Sequence, residues 1–326
     1  MDIIVTGSIA YDYLMRFPGR FNDYFIDGQM HQVSLSFLVE EMTKHWGGIG
    51  ANIAYTLGLL GHQAKLMGTV GRDFGDYREW LERVGVNTSG VREYVDVFTA
   101  SYFANTDLEN NTISSFYSGA MAFSKNFSLA EAYPGVNPDM VIVSPSDPLA
   151  MQYLTEECRE RNIPFIYDPS QQIPRLTGEE LLHDMQGAYA MVVNAYEAEI
   201  ICKKTEISFE DLKRRIELLI VTQGKNGSHI YQSGELTEVP AFSAKEIKDP
   251  TGAGDAFRGG LLRGMAAGFP IKLSALMGSL CASYVLEHVG TQNHRFTIPE
   301  FIERFRSEQD DEGLLDSLLQ PATVTK

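Results

Sequence analysis

The sequence predicts an α/β domain: a doubly wound, mostly parallel sheet with helices on both faces, and a small separate β layer beside it. Three observations carry this. Short apolar runs ending in glycine or a turn alternate with longer helix-forming segments over most of the chain, the pattern of a parallel sheet wrapped by helices. Two stretches, at about 10–46 and 97–119, break the alternation and are rich in aromatic and β-branched residues. The 326 residues, 44% of them hydrophobic, can bury a core of that size. No repeat, low-complexity segment or linker divides the chain, so 1–326 reads as one domain whose two β-rich stretches form a lid.

The elements follow in order. "IIVTG" (3–7) is a short buried strand. "HQVSLSFLV" (31–39) is β-rich and partly alternating. Residues 49–60 read as a helix and 64–70 as a strand. Residues 98–118 read as a hairpin turning at Glu109-Asn110-Asn111. Strands are expected at 140–145, 164–169, 190–195 and 218–224, and helices at 148–161, 195–204, 252–267 and 271–288. The tail beyond about Ser307 is acidic and then apolar, read as a terminal helix with a frayed end.

Composition excludes some functions. Lys+Arg is 27 against 43 Asp+Glu, a net charge of −16, which argues against nucleic acid or an anionic membrane as partner. No apolar stretch approaches the roughly 18 residues of a membrane span, and the N-terminus shows no basic region before an apolar run. Cys158, Cys202 and Cys281 form neither a disulfide framework nor a zinc pattern, so a reducing cytoplasm is expected. The tripeptide Asp73-Phe74-Gly75 stands without the other motifs of a protein kinase.

Five stretches carry chemistry. In "DPTGAGDAF" (249–257) Pro250 keeps Asp249 out of the helix that follows, and Thr251 fits as its N-cap. The N–H groups of Gly252, Ala253 and Gly254 then lack intrahelical partners and form an anion site at the helix N-terminus. Asp255 stands beside it, placed to take a hydroxyl proton. A plain glycine-bounded helix start also fits, and Ala256, Gly260 and Gly264 form a small-residue face suited to close packing. "GGIGANIAYTLGLLG" (47–61) crowds glycines at a strand-to-helix junction, with Gly48 and Asn52 near a bound sugar or serving an ordinary junction. "GSIAYDY" (7–13) puts Ser8 and Asp12 at a strand end, the edge where α/β sheets bind ligands. "VTQGKNGS" (221–228) sets Gly224 and Gly227 about a turn, with Thr222 and Lys225 in reach of phosphates. "NAYEAE" (194–199) spaces Asn194 and Glu197 for contacts to hydrated Mg²⁺, or for a helix N-cap with an acid in its first turn.

Together these stretches resemble the ribokinase-like (PfkB) sugar and nucleoside kinases. The resemblance runs over about 3–306. "YLMRFPGRF" (13–21), "SFYSGAM" (115–121), "DPSQQ" (168–172) and "YVLEHVGTQ" (284–292) are similar to the bacterial adenosine kinases within that family. It implies a ribokinase-like fold with a β lid and an adenosine kinase of purine salvage, with another nucleoside or a sugar as the alternative acceptor. By resemblance Asp255 is the base and Gly252, Ala253 and Gly254 the anion hole. Ser8, Asp12, Gly48 and Asn52 hold the ribose, Gln171 and Gln172 lie in a substrate-binding segment, and Tyr102 and Phe116 flank the nucleobase, with Phe103 as the alternative to Tyr102. Asn194 with Thr222, Gln223, Gly224, Lys225, Asn226 and Gly227 serves ATP. Asn194 and Glu197 serve Mg²⁺, and K⁺ sits near Asp249. A homodimer through the lid is also implied. The rival from another class is a non-catalytic adenosine sensor, which would have no use for Asp255 and its anion hole.

Overall fold

The computed structural model describes residues 1–25 and 35–320. The chain runs through β1 (Ile3–Thr6), β2 (Ala10–Arg16), β3 (Glu41–Gly47), α1 (Ile49–Leu59), β4 (Lys65–Gly71), α2 (Gly75–Arg83), β5 (Asn87–Tyr94) and the hairpin β6 (Ala100–Thr106) and β7 (Thr112–Tyr117). It continues with α3 (Leu129–Ala132), β8 (Met140–Val143), α4 (Pro148–Glu160), β9 (Phe165–Tyr167), α5 (Gly178–Met185), β10 (Ala190–Asn194), α6 (Ala195–Thr205), α7 (Phe209–Arg215) and β11 (Leu218–Thr222). Last come β12 (Ser228–Gln232), β13 (Glu235–Val239), α8 (Ala253–Ala266), α9 (Ile271–Leu286) and α10 (Ile298–Glu308).

Among the described residues nine strands form one sheet in the order β13-β12-β11-β10-β9-β8-β1-β4-β5. Its seven strands from β11 to β5 pair in parallel, and β12 and β13 add an antiparallel edge. Alternate residues of the central strands feed two cores. Ile3, Val5 and Ile142 join α1, α2, α8, α9 and α10 on one face, and Ile4, Val141 and Val143 join α3 to α7 on the other. This two-sided burial explains why these strands read as unbroken apolar runs. Helices α8 and α9 touch closely at Gly260, where a Cβ would lie 2.7 Å from Gly278 Cα.

Among the described residues a second sheet of four strands, ordered β3-β2-β6-β7, is fed by the two expected insertions. Asn110 takes a left-handed φ of 63° in the predicted hairpin turn. Of the stretch 31–39, residues 31–34 lie outside the described residues, and 35–39 are irregular chain rather than strand. The helix after Pro250 begins at Ala253, and its cap is Gly252 with φ 82°, not Thr251. Thr251 instead gives its backbone N–H to Asp249 Oδ1, and only glycine takes that φ without strain. The tail forms a 3-10 turn at Leu314–Leu319 where a terminal helix was expected. No described helix is long and apolar enough to cross a membrane.

Candidate active site

Parallel strands end at one edge of the main sheet, and the candidate residues gather there. Ser8 follows β1, Ser144 follows β8, Asp168 follows β9, and Asn194 and Thr222 close β10 and β11 in register with each other. Helix α8 begins at this edge, because its Arg258 pairs with Asp168 at 2.6 Å and donates to Val192 O at 3.3 Å.

Asp255, in the first turn of α8, is buried. Its Oδ2 accepts from Asn52 Nδ2 at 2.8 Å. Burial pushes its carboxyl up to about 6. Arg258 and the Asn52 hydrogen bond oppose the rise, and Glu197 adds to it. Asn52 Oδ1 accepts from Gln292 Nε2 at 2.8 Å and lies 2.9 Å from Thr291 Oγ1. Both ends of the Asn52 amide are thus engaged within the protein, which leaves one N–H hydrogen for a ligand.

At the start of α8 the N–H groups of Gly252, Gly254 and Asp255 pair with no acceptor among the described residues, and Ala253 N makes only a 3.4 Å contact to Pro250 O. These donors and the helix dipole form a cradle for an anion. The Arg258 guanidinium lies against this turn: a Cβ at Gly254 would sit 2.9 Å from its Nη1.

The small sheet contributes a row of side chains. Asp12 is paired in register with His45 on β3 and Tyr102 on β6, and Tyr102 with Phe116 on β7, so these four share one face. Burial, and then the nearby Asp255 and Asp249 carboxylates, raise Asp12 to about 6. On the same face His45 Nδ1 lies 3.2 Å from Asn293 Nδ2, in the loop whose Gly290 N–H donates to Asp249, so that face borders the segment leading into α8. Phe103 lies on the other face, stacked on Tyr13 with centroids 4.9 Å apart. Ser8 Oγ accepts from Ile49 N at 3.0 Å at the start of α1, and Gly48 has φ 92° there.

The remaining candidates vary in engagement. Asn194 and Glu197 form a capping box on α6, and Glu197 Oε1 has one 3.4 Å contact, from Ser170. Gln223, Gly224, Lys225, Asn226 and Gly227 make the turn after β11, closed by Gln223 N to Gly227 O at 2.7 Å, with Lys225 exposed. Asp249 accepts backbone N–H bonds from Thr251 and Gly290, at 2.9 and 3.0 Å. Burial alone would raise its carboxyl, and these bonds outweigh it and hold it below the usual range. Gln172 is buried and donates to Ser146 O at 2.7 Å, whereas Gln171 is exposed and joins no other candidate. Among the described residues no cluster of three or more His, Cys, Asp or Glu could hold a metal ion.

Sequence reasoning missed four residues of this cluster: Asp168, Arg258, Thr291 and Gln292. Each lies in or beside a quoted motif, but only the fold brings them onto Asp255 and Asn52. The residue three after Asp255, one helical turn on, was the available signal for Arg258.

The model of the pfkB family of carbohydrate kinases matches residues 6–297. The chain is 28% identical over 312 residues to a nucleoside kinase of Methanocaldococcus jannaschii, covering 94% of this chain and 97% of that protein. The ligand-free nucleoside kinase of Burkholderia thailandensis superposes with a TM-score of 0.84 at 37% identity, covering 93% of this chain and 99% of the other. The same kinase in complex with ADP-inosine gives 0.80 at 37% identity, covering 94% and 95%.

Proposed function

The chain belongs to the pfkB family of carbohydrate kinases, and from that premise we propose that it is a nucleoside kinase. It transfers the γ-phosphate of ATP to the 5′-hydroxyl of a purine nucleoside, with adenosine as the leading acceptor. One observation carries the nucleoside reading: Asp12, Tyr102 and Phe116 stand in one cross-strand row on the face turned toward Asp255. A free sugar would need the carboxylate but not the two aromatic rings. The Burkholderia kinase, whose structure is also known in complex with inosine, makes inosine the second acceptor to test.

Asp12 accepts two ribose hydroxyls, and Tyr102 and Phe116 cover the base. Gly48, Ser8 and Asn52 shape the ribose floor, and Gln172 borders it. Asp255 takes the 5′-hydroxyl proton, and the first-turn N–H groups of α8 stabilise charge on the transferring phosphoryl group. Asn194 and the 222–227 turn bind ATP at the strand edge. Glu197 Oε1 keeps lone pairs for waters of a hydrated Mg²⁺, an all-oxygen setting that fits this ion. Mg²⁺, when bound, neutralises the phosphate oxygens. The small sheet acts as a lid that excludes water. Its outer side exposes Phe103, Ile113 and Tyr117, apolar area that suits a homodimer.

The test is a coupled ATPase screen over adenosine, inosine, cytidine, ribose and fructose, with and without K⁺. Turnover on adenosine or inosine well above that on free sugars supports the reading. Equal or better turnover on ribose or fructose overturns it.

A further inference from the structure

A chain of polar side chains runs from α2 to Asp255. Trp80 Nε1 donates to Gln292 Oε1 at 3.1 Å. Gln292 Nε2 donates to Asn52 Oδ1 at 2.8 Å and to the Tyr77 hydroxyl at 2.5 Å. Asn52 Nδ2 donates to Asp255 Oδ2 at 2.8 Å. Tyr77 gives its hydroxyl hydrogen to Gly47 O at 2.8 Å. Asn52, Tyr77 and Gln292 are buried, and Trp80 is half-buried.

The chemistry of the ends fixes the direction of the chain. An indole nitrogen only donates, so Gln292 must turn its oxygen to Trp80. A backbone carbonyl only accepts, so Tyr77, having given its hydrogen to Gly47, offers Gln292 a lone pair. Both demands turn the Gln292 amide nitrogen toward Asn52. Asn52 must then answer with its oxygen and keep its NH₂ for Asp255. Reversing either amide would set oxygen against oxygen in a buried place, where an unmade hydrogen bond is costly. Packing alone would be met by apolar side chains here.

We propose that Trp80 and Gln292 are positioning residues for phosphoryl transfer: they set the polarity of the Asn52 amide, which holds Asp255 by Oδ2 and leaves Oδ1 to the substrate hydroxyl. The inference rests on Asp255 being the base. The chain crosses from α2 through the loop after α9 to α1 and α8, so it also ties the two glycine-rich helix starts together. Thr291 braces it, with Oγ1 2.8 Å from Trp46 O as well as close to Asn52. Asn52 is a neutral donor to Asp255; the charged groups near enough to act on Asp255 are Arg258 on its own helix, Glu197 on α6, Asp12 on β2 and Asp168 after β9. None of them lies on the Trp80–Gln292 chain, so its removal reads out separately.

The experiment compares Trp80→Phe, Gln292→Glu and Asp255→Asn in the full chain. Trp80→Phe keeps an aromatic ring and deletes the indole N–H. Gln292→Glu keeps the shape and cannot donate to Asn52. For both, kcat should fall about 10-fold, less than the roughly 10²–10⁴-fold expected for loss of the base. The KM values for nucleoside and ATP should stay within about twofold, and the acid limb of the pH profile should move up by roughly one unit, because an Asn52 amide no longer fixed in orientation donates less to the charged form of Asp255. Folded variants with unchanged kcat and acid limb overturn the inference, even if they melt earlier. Should both fail to fold, NMR of the unsubstituted protein decides: Trp80 indole and Gln292 side-chain amide protons that exchange slowly and shift together with those of Asn52 through the titration of Asp255 support it, and Trp80 and Gln292 protons that exchange fast or do not follow that titration overturn it. An active Asp255→Asn sinks the base assignment. An inactive Asp255→Asn beside unaffected Trp80→Phe and Gln292→Glu sinks only the positioning role.

Discussion

Asn52 and Asp255 lie 203 residues apart in sequence and are joined by one hydrogen bond of 2.8 Å, from Nδ2 to Oδ2. The bond links the first turns of α1 and α8, the two helices that open on glycine-rich segments. It fixes a carboxylate beside the first-turn N–H groups of its own helix, the donors proposed to hold the transferring phosphoryl group. Burial keeps that carboxylate near the proton affinity a base needs at neutral pH.

Asp255→Asn should lower kcat by about 10²–10⁴-fold and leave nucleoside affinity within a few-fold by calorimetry. In the unsubstituted enzyme kcat/KM should fall as pH drops through about 6, since the base works only when ionised. Near-normal turnover of the amide variant would end the base assignment.

Asp12→Asn should weaken nucleoside binding far more than ATP binding, since hydrogen bonds to a charged group contribute roughly 1.5–3 kcal/mol each. The same change should raise the melting temperature of the ligand-free protein at pH 7.5. The carboxyl is raised in the folded state, so its charge opposes folding above about 6. That penalty fades as pH falls through the folded value toward the unfolded one. The gain in melting temperature should therefore shrink toward pH 5. A variant no more stable than the parent at pH 7.5, or a parent enzyme that uses 2′-deoxyadenosine as well as adenosine, counts against the role of Asp12.

Phe116→Ala should raise the nucleoside KM by roughly 5- to 150-fold, the loss of one base-stacking contact of about 1–3 kcal/mol, with the ATP KM nearly unchanged. Phe103→Ala, on the opposite face, should move the nucleoside KM much less. The reverse ranking in steady-state kinetics would put the base elsewhere.

Arg258→Met should destabilise the fold by about 3–5 kcal/mol in chemical denaturation, because it strands a buried Asp168 carboxylate. Adding Asp168→Asn should restore much of that loss. If the double variant is no more stable than the single, the pair is not what holds α8 to the sheet edge.

The main sheet was legible in the sequence because strands buried on both faces leave unbroken apolar runs, as in Val141–Ile142–Val143. The helices α1, α4, α6, α8 and α9 were legible from their periodicity and glycine or proline boundaries. Helices α5, α7 and α10 went unread, although each opens on a capping box: Thr177 with Glu180, Ser208 with Asp211, and Thr297 with Glu300. The edge strands β5 and β13 carry too few apolar residues for a pattern to form. Asp255, Asn52 and Asp12 could be named because short motifs place glycine and carboxylate together along the chain, and local backbone chemistry follows from neighbours in sequence.

The tertiary structure alone decided which residues touch. Register set Tyr102 rather than Phe103 on the face of Asp12, since a one-residue step reverses the side of a strand. Packing of α8 against the strand ends turned Arg258 onto Asp168. The loop after α9 brought Gln292 to Asn52 across 240 residues of sequence. Such contacts depend on how distant elements pack, and a hydrogen bond between them leaves no spacing for a sequence to show.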